Sequence, residues 1–230
     1  MATHRTLRPL LITLLATLVL TQFTATASAQ TPPSIAPATQ DANPTRLFFG
    51  PTGRTLKQGE SYFGVFEVFM PFVQVGVTDR LSLGGGTPLV FGAGATPIWF
   101  TPKFRVFSTA RTDVSVGTLH FWNVGDHSAG IAYGVATHGT ADASVTGGLG
   151  YTYSGTDVGS AVVMIGGERR ATRSVKLITE NYIGRAGHGV LMGGVRFMGE
   201  RLSADVGLFS PITSEGFFAG PMVNFVWKMK

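Results

Sequence analysis

Two short alternating runs meeting at a tight polar turn constrain this chain more than any other feature. Val73, Val75 and Val77 alternate with Gln74, Gly76 and Thr78, and after Asp79-Arg80 the residues Leu81 and Leu83 alternate with Ser82 and Gly84. A period of two puts successive side chains on opposite faces of a strand, so this stretch reads as a β-hairpin with one apolar face. The same pattern recurs along nearly the whole chain. Phe217, Ala219, Pro221, Val223, Phe225 and Trp227 oppose Phe218, Gly220, Met222, Asn224 and Lys228. Leu202, Ala204, Val206 and Leu208 oppose Ser203, Asp205, Gly207 and Phe209; Ile98, Phe100, Phe104 and Val106 oppose Thr101, Lys103 and Arg105. Val145, Leu149, Tyr151 and Tyr153 oppose Ser144, Thr146, Gly148, Gly150 and Thr152. A soluble sandwich shows the same alternation, but its outer face needs far more charge than 13% Asp, Glu, Lys and Arg provides. The fold expected is therefore all-β, an up-and-down antiparallel transmembrane β-barrel.

The N-terminus supports export. Arg5 and Arg8 precede an apolar run from Leu10 to Leu20, and Ala27-Ser28-Ala29 supplies a small-residue cleavage site. That run is too short to span the membrane as a helix, which takes about 20 residues. Residues 1–29 thus read as a signal peptide, and its removal lowers the net charge from +5 because two arginines leave with it. What remains is too weakly and diffusely basic to grip nucleic acid. No cysteine is present, so no disulfide framework is available to an exported chain, and closure of the sheet is the alternative source of stability.

Residues 30–44, with Pro32, Pro33, Pro37 and Pro44, read as a disordered linker, and 45–230 as a single barrel domain. Short polar turns at Thr78 to Arg80, Ser108 to Thr112, Gly139 to Asp142, Arg169 to Thr172 and Gly199 to Arg201 alternate with connections near Gly92, Val124, Ser154, Gly184 and Pro211. Ten strands fit between Leu81 and the C-terminus. One more over Glu60 to Val77, bent at Pro71, and a first over Thr45 to Leu56 bring the expected count to twelve. Ten, with the N-terminal part packed as a plug or rim, is the competing arrangement. Trp99, Trp122, Tyr151, Tyr153, Tyr182 and Trp227 fall near strand ends, where interfacial aromatic girdles form.

These segments also carry a resemblance. Leu47-Phe48-Phe49-Gly50-Pro51-Thr52, Lys57-Gln58-Gly59-Glu60, Gly76 to Gly86, Thr101-Pro102-Lys103, Gly130 to Gly134, Glu180-Asn181-Tyr182, Val195 to Leu208 and Val223 to Lys228, in that order, resemble a family of uncharacterised bacterial outer-membrane β-barrel proteins. The resemblance implies a barrel in the outer membrane, surrounded by its lipid, and implies no activity.

On this parity Glu67, Lys103, Arg105, Glu168, Lys176, Glu180, Arg196, Asp205 and Lys228 face inward. Opposite charges inside a narrow barrel pair, because an isolated charge there costs several kcal/mol. They read as pore-lining residues of a narrow passive pore for small solutes, or as a salt-bridge network bracing a closed interior. The second reading makes the protein an envelope anchor whose 30–44 tail touches a periplasmic partner. Chemistry has weak support, so no enzyme is expected. A membrane-embedded lipid-modifying enzyme is the third reading, with Thr118 and His120 on one strand face as its only hydroxyl–imidazole pair. His127-Ser128 point apart on extended chain, and His138 and His188 read as rim residues. No pattern has metal-ligand spacing, Gly84-Gly85-Gly86 lacks the helix a phosphate loop needs, and no cofactor is expected.

Overall fold

The computed structural model describes residues 38–89, 96–124, 127–155, 157–185, 188–212 and 218–229. The expected signal peptide, most of the expected linker, Phe217 and much of the connections near Gly92, Val124, Ser154, Gly184 and Pro211 lie outside them. The described chain is all-β: β1 Ser61–Phe66, β2 Met70–Gly76, β3 Leu81–Gly86, β4 Ile98–Phe100, β5 Lys103–Ser108, β6 Thr112–Val124, β7 His127–Gly139, β8 Ala143–Ser154, β9 Asp157–Arg170, β10 Val175–Ile183, β11 Gly189–Met198, β12 Leu202–Ile212 and β13 Gly220–Lys228. Apart from β4 and β5, which do not pair with each other, consecutive strands pair antiparallel, and β1 closes the ring on β13 through Phe63 opposite Trp227 and Val65 opposite Phe225. Segments β4 and β5 both lie between β3 and β6 and form one strand, interrupted where Pro102 has no N–H for the ladder. The result is a closed twelve-strand, up-and-down barrel.

Twelve is the count expected, but two assignments behind it change. Glu60 to Val77 is not one bent strand. It folds into the β1–β2 hairpin, turning at Glu67 and Val68, both at positive φ (49° and 67°). Thr45 to Leu56 is no strand of the wall. It runs inside the barrel, where its only ladder-like contact is the bridge between Arg46 and Pro51. The expected linker also ends sooner than Pro44, because Asp41, Ala42 and Asn43 are already buried in the lumen. Proline content suggested solvated chain there. The buried polar partners that hold this stretch come from strands more than a hundred residues away, which no local pattern reveals.

Registered pairing fixes the two faces. Val75, Phe104, Val116, Leu149, Ile165 and Val206 point outward and are exposed, whereas Gln74, Ser82, Ser115, Thr146 and Asn224 point inward and are buried. Among the described residues, outward strand positions carry charge only at strand ends, as at Arg169. Such an apolar outer belt on a closed ring is consistent with a membrane barrel, in which every backbone polar group of the wall must be satisfied without water. Of the expected girdle, Trp122, Tyr151 and Trp227 are exposed on the outer face. Trp99 instead turns inward and is buried, and Tyr182 packs in the lumen, because their registers place them on the inner face.

Candidate functional site: a plugged lumen

The segment 38–60 enters at the rim of short turns, where Thr39 N–H donates to Arg173 O and the Arg170 guanidinium donates to Thr39 O. It makes a small reversal over Thr45 to Thr52, closed by Thr52 N–H to Thr45 O and Leu47 N–H to Gly50 O. The tip, Leu47-Phe48, is fully buried against Val135, Met164, Ile178 and Met222. A backbone inside a barrel has no sheet partner, so its N–H and C=O groups need acceptors and donors from the wall. Inward side chains provide them.

Glu180 accepts three successive amides, from Phe48 (2.7 Å), Phe49 (3.1 Å) and Gly50 (2.9 Å), and also the Tyr182 hydroxyl (2.7 Å). Lys103 Nζ donates to Thr45 O (2.9 Å) and Thr52 O (3.1 Å). Thr137 Oγ1 accepts Gly53 N–H while Ser115 Oγ donates to Gly53 O, and Leu56 N–H reaches Ser82 Oγ. Arg196 bridges wall and plug. Its Nε and Nη2 form a two-pronged pair with Asp205 (2.6 and 2.9 Å), and its Nη1 donates to Asp41 Oδ2 (3.1 Å) and Asn43 O (2.8 Å). Lys176 links Asp41 (2.8 Å) to Glu168 (3.0 Å), and Glu168 also receives Arg54 (2.6 Å). Burial alone would raise the Asp41 carboxyl, but Arg196 and Lys176 outweigh it and hold this group well below its ordinary value of 3.8.

Six of the nine residues expected to line a pore are thus brought together in the lumen: Lys103, Glu168, Lys176, Glu180, Arg196 and Asp205, all buried. Their charged groups hold the plug or one another. Arg105 and Lys228 face inward at the rim, paired with Asp113 (3.3 Å) and Glu60 (3.5 Å). Glu67 lies at the tip of the β1–β2 hairpin rather than on an inward strand face, with its N–H on Val223 O. Asp41, Arg46 and Arg54 were invisible as site residues because they belong to the plug. The one local hint was Leu47-Phe48-Phe49-Gly50-Pro51, where alternation stops.

Beyond the plug, toward the other rim, the lumen becomes apolar and aromatic. Leu119, Ile131, Tyr133, Val162, Met164 and Tyr182 surround a cavity of about 220 Å³ floored by Arg46, Phe49 and Pro51. Thr118 and His120 face outward, not into this space. The Tyr153 hydroxyl stands between them, 2.7 Å from His120 Nδ1 and 3.4 Å from Thr118 Oγ1. His138 is exposed at the short-turn rim against Thr112, and His188 is exposed. Among the described residues no group of three His, Cys, Asp or Glu is placed to hold a metal ion. No protein-family model matches the chain, and no curated protein matches it.

Proposed function

We propose that the protein is an outer-membrane β-barrel, shut at its short-turn rim by its own N-terminal segment, and a gated passage for small solutes rather than a permanently open pore. The observation that carries this reading is the use of the interior charges: Glu180, Lys103 and Arg196 bind plug backbone instead of facing a water-filled bore. The export signal, the uncharged outer belt and the resemblance to bacterial outer-membrane barrels support the location. The short-turn rim then faces the periplasm, the usual side of such turns. A non-enzymatic role is part of the proposal, since the one hydroxyl–imidazole cluster singled out lies on the lipid-facing side. A braced, closed anchor shares the same salt-bridge network and differs only in that its plug never leaves.

Planar-bilayer recording on the refolded chain separates these readings. The gated passage predicts a silent unmodified barrel and discrete conductance steps when residues 38–56 are deleted or the plug is loosened by Glu180→Gln. Steps in the unmodified protein overturn the plugged resting state. A plug-deleted barrel that is folded, shown by heat-modifiable gel migration, yet silent overturns the passage and leaves the anchor.

A further inference from the structure

Arg46 is the anomaly of the lumen. Only 7% of it is exposed, and a buried guanidinium is costly unless a counter-charge compensates it. The other arginines inside have one: Arg54 has Glu168, and Arg196 has Asp41 and Asp205. Arg46 has no carboxylate partner among the described residues, and the buried Lys103 adds a second positive charge nearby. The Arg46 Nε donates to Gln74 Oε1 (3.1 Å), its Nη1 donates to Phe49 O (2.9 Å), and its guanidinium carbon lies 5.9 Å from the Phe72 ring centre. The guanidinium has five N–H donors, and these two acceptors leave others available. No described carboxylate is within ion-pair reach of it. The same side chain lines the 220 Å³ cavity, whose remaining wall is almost wholly apolar.

We propose that this cavity is a binding site for a small carboxylate amphiphile, with its acid group on Arg46 and its chain among Leu119, Ile131, Val162 and Met164. A planar carboxylate matches the guanidinium fork, and the apolar walls refuse a second charge. The cavity lies below the usual 300–1,000 Å³ of drug-sized sites, which limits the chain to about eight carbons at close packing. The proposal names the solute class of the passage proposed above and rests on that reading for its biological meaning. It is tested by binding, whereas the passage is tested by conductance, so either can fail alone.

The experiment measures octanoate binding to the full chain in lipid nanodiscs, by NMR of the ¹³C-labelled carboxyl carbon, with empty nanodiscs as the partition control and octanol as the uncharged competitor. Saturable octanoate binding is expected, about tenfold or more tighter than octanol, as a charge-assisted contact provides. Arg46→Met should reduce octanoate to the level of octanol. Val162→Phe, which fills the cavity and leaves Arg46 in place, should abolish both. Because Arg46→Met also loses a bond to the plug, trypsin protection at Arg54 reports whether the plug stays. If it does not, the wild-type octanoate–octanol ratio and Val162→Phe decide. Absence of saturable binding, equal affinity for the two probes, or undiminished binding to Val162→Phe each overturns the site.

Discussion

Replacing Glu180 by Gln tests the plug most directly. The carboxylate accepts four donors: the amides of Phe48, Phe49 and Gly50, and the Tyr182 hydroxyl. Glutamine keeps the shape and one carbonyl oxygen but presents an NH₂ group where the second oxygen accepted. At least two donors then lose their acceptor in a site with no exposure, and the remaining bonds lose their charge. An unsatisfied buried donor costs about 1–3 kcal/mol, so the plug should weaken by about 3–6 kcal/mol. At 1.4 kcal/mol per factor of ten, the population with the plug released rises by about 10² to 10⁴. The wall does not depend on this contact, since β10 keeps its ladders to β9 and β11. Trypsin is the assay, because Arg46 and Arg54 lie in the plug, and mass spectrometry identifies the cut. The expected result is at least a hundredfold faster cleavage at these two sites with the barrel core intact on a gel. Cleavage of Glu180→Gln at the wild-type rate would refute the reasoning, because the side chain would then be no part of what holds the segment.

Other perturbations probe other links. Arg196→Met strands Asp205 and leaves Asp41 with Lys176 alone, and should destabilise the folded barrel by about 3–5 kcal/mol, read as a lower temperature of heat-modifiable gel migration. Asp41 has a depressed folded-state pKa, so its contribution is fully present above the unfolded value of 3.8 and declines progressively as pH falls from there through the much lower folded value. Pepsin cutting within 38–60, normalised at each pH to the rate on the unfolded chain, should therefore rise progressively as pH is lowered from about 4 to about 2. Gly50→Ala pushes a methyl group into the Tyr182 hydroxyl and should loosen the plug tip by about 1–3 kcal/mol, seen as faster cleavage at Arg46. Leu149→Arg separates membrane from soluble readings. Leu149 is 68% exposed, so an aqueous protein would tolerate the change, whereas in lipid it should cost about 2–4 kcal/mol of folding free energy in vesicles.

Alternation by itself determined the wall of this protein. Val73 to Gly84, Val145 to Tyr153 and Leu202 to Leu208 each sort into an outward apolar and an inward small or polar set, because a strand's period of two leaves no other arrangement, whereas Trp99, Phe209, Met222 and Val226 put apolar bulk on the inward face. The polar inward face was legible too, and so were six of the charges it carries in the lumen. What those charges touch was not legible. Lys103 and Glu180 read as the lining of a pore or as salt-bridge partners within the wall, since a local pattern cannot tell either from a side chain facing another stretch of backbone. The twelve-strand total was reached with Thr45 to Leu56 counted as wall and the β1–β2 hairpin counted as one strand, and these two errors cancel. Only closure of the ring decided otherwise. With β1 paired to β13, the segment before Ser61 has no free edge to join, and its amides and carbonyls must be met from inside. The same closure leaves Arg46 beside an apolar cavity, a juxtaposition of plug and wall that exists only in three dimensions.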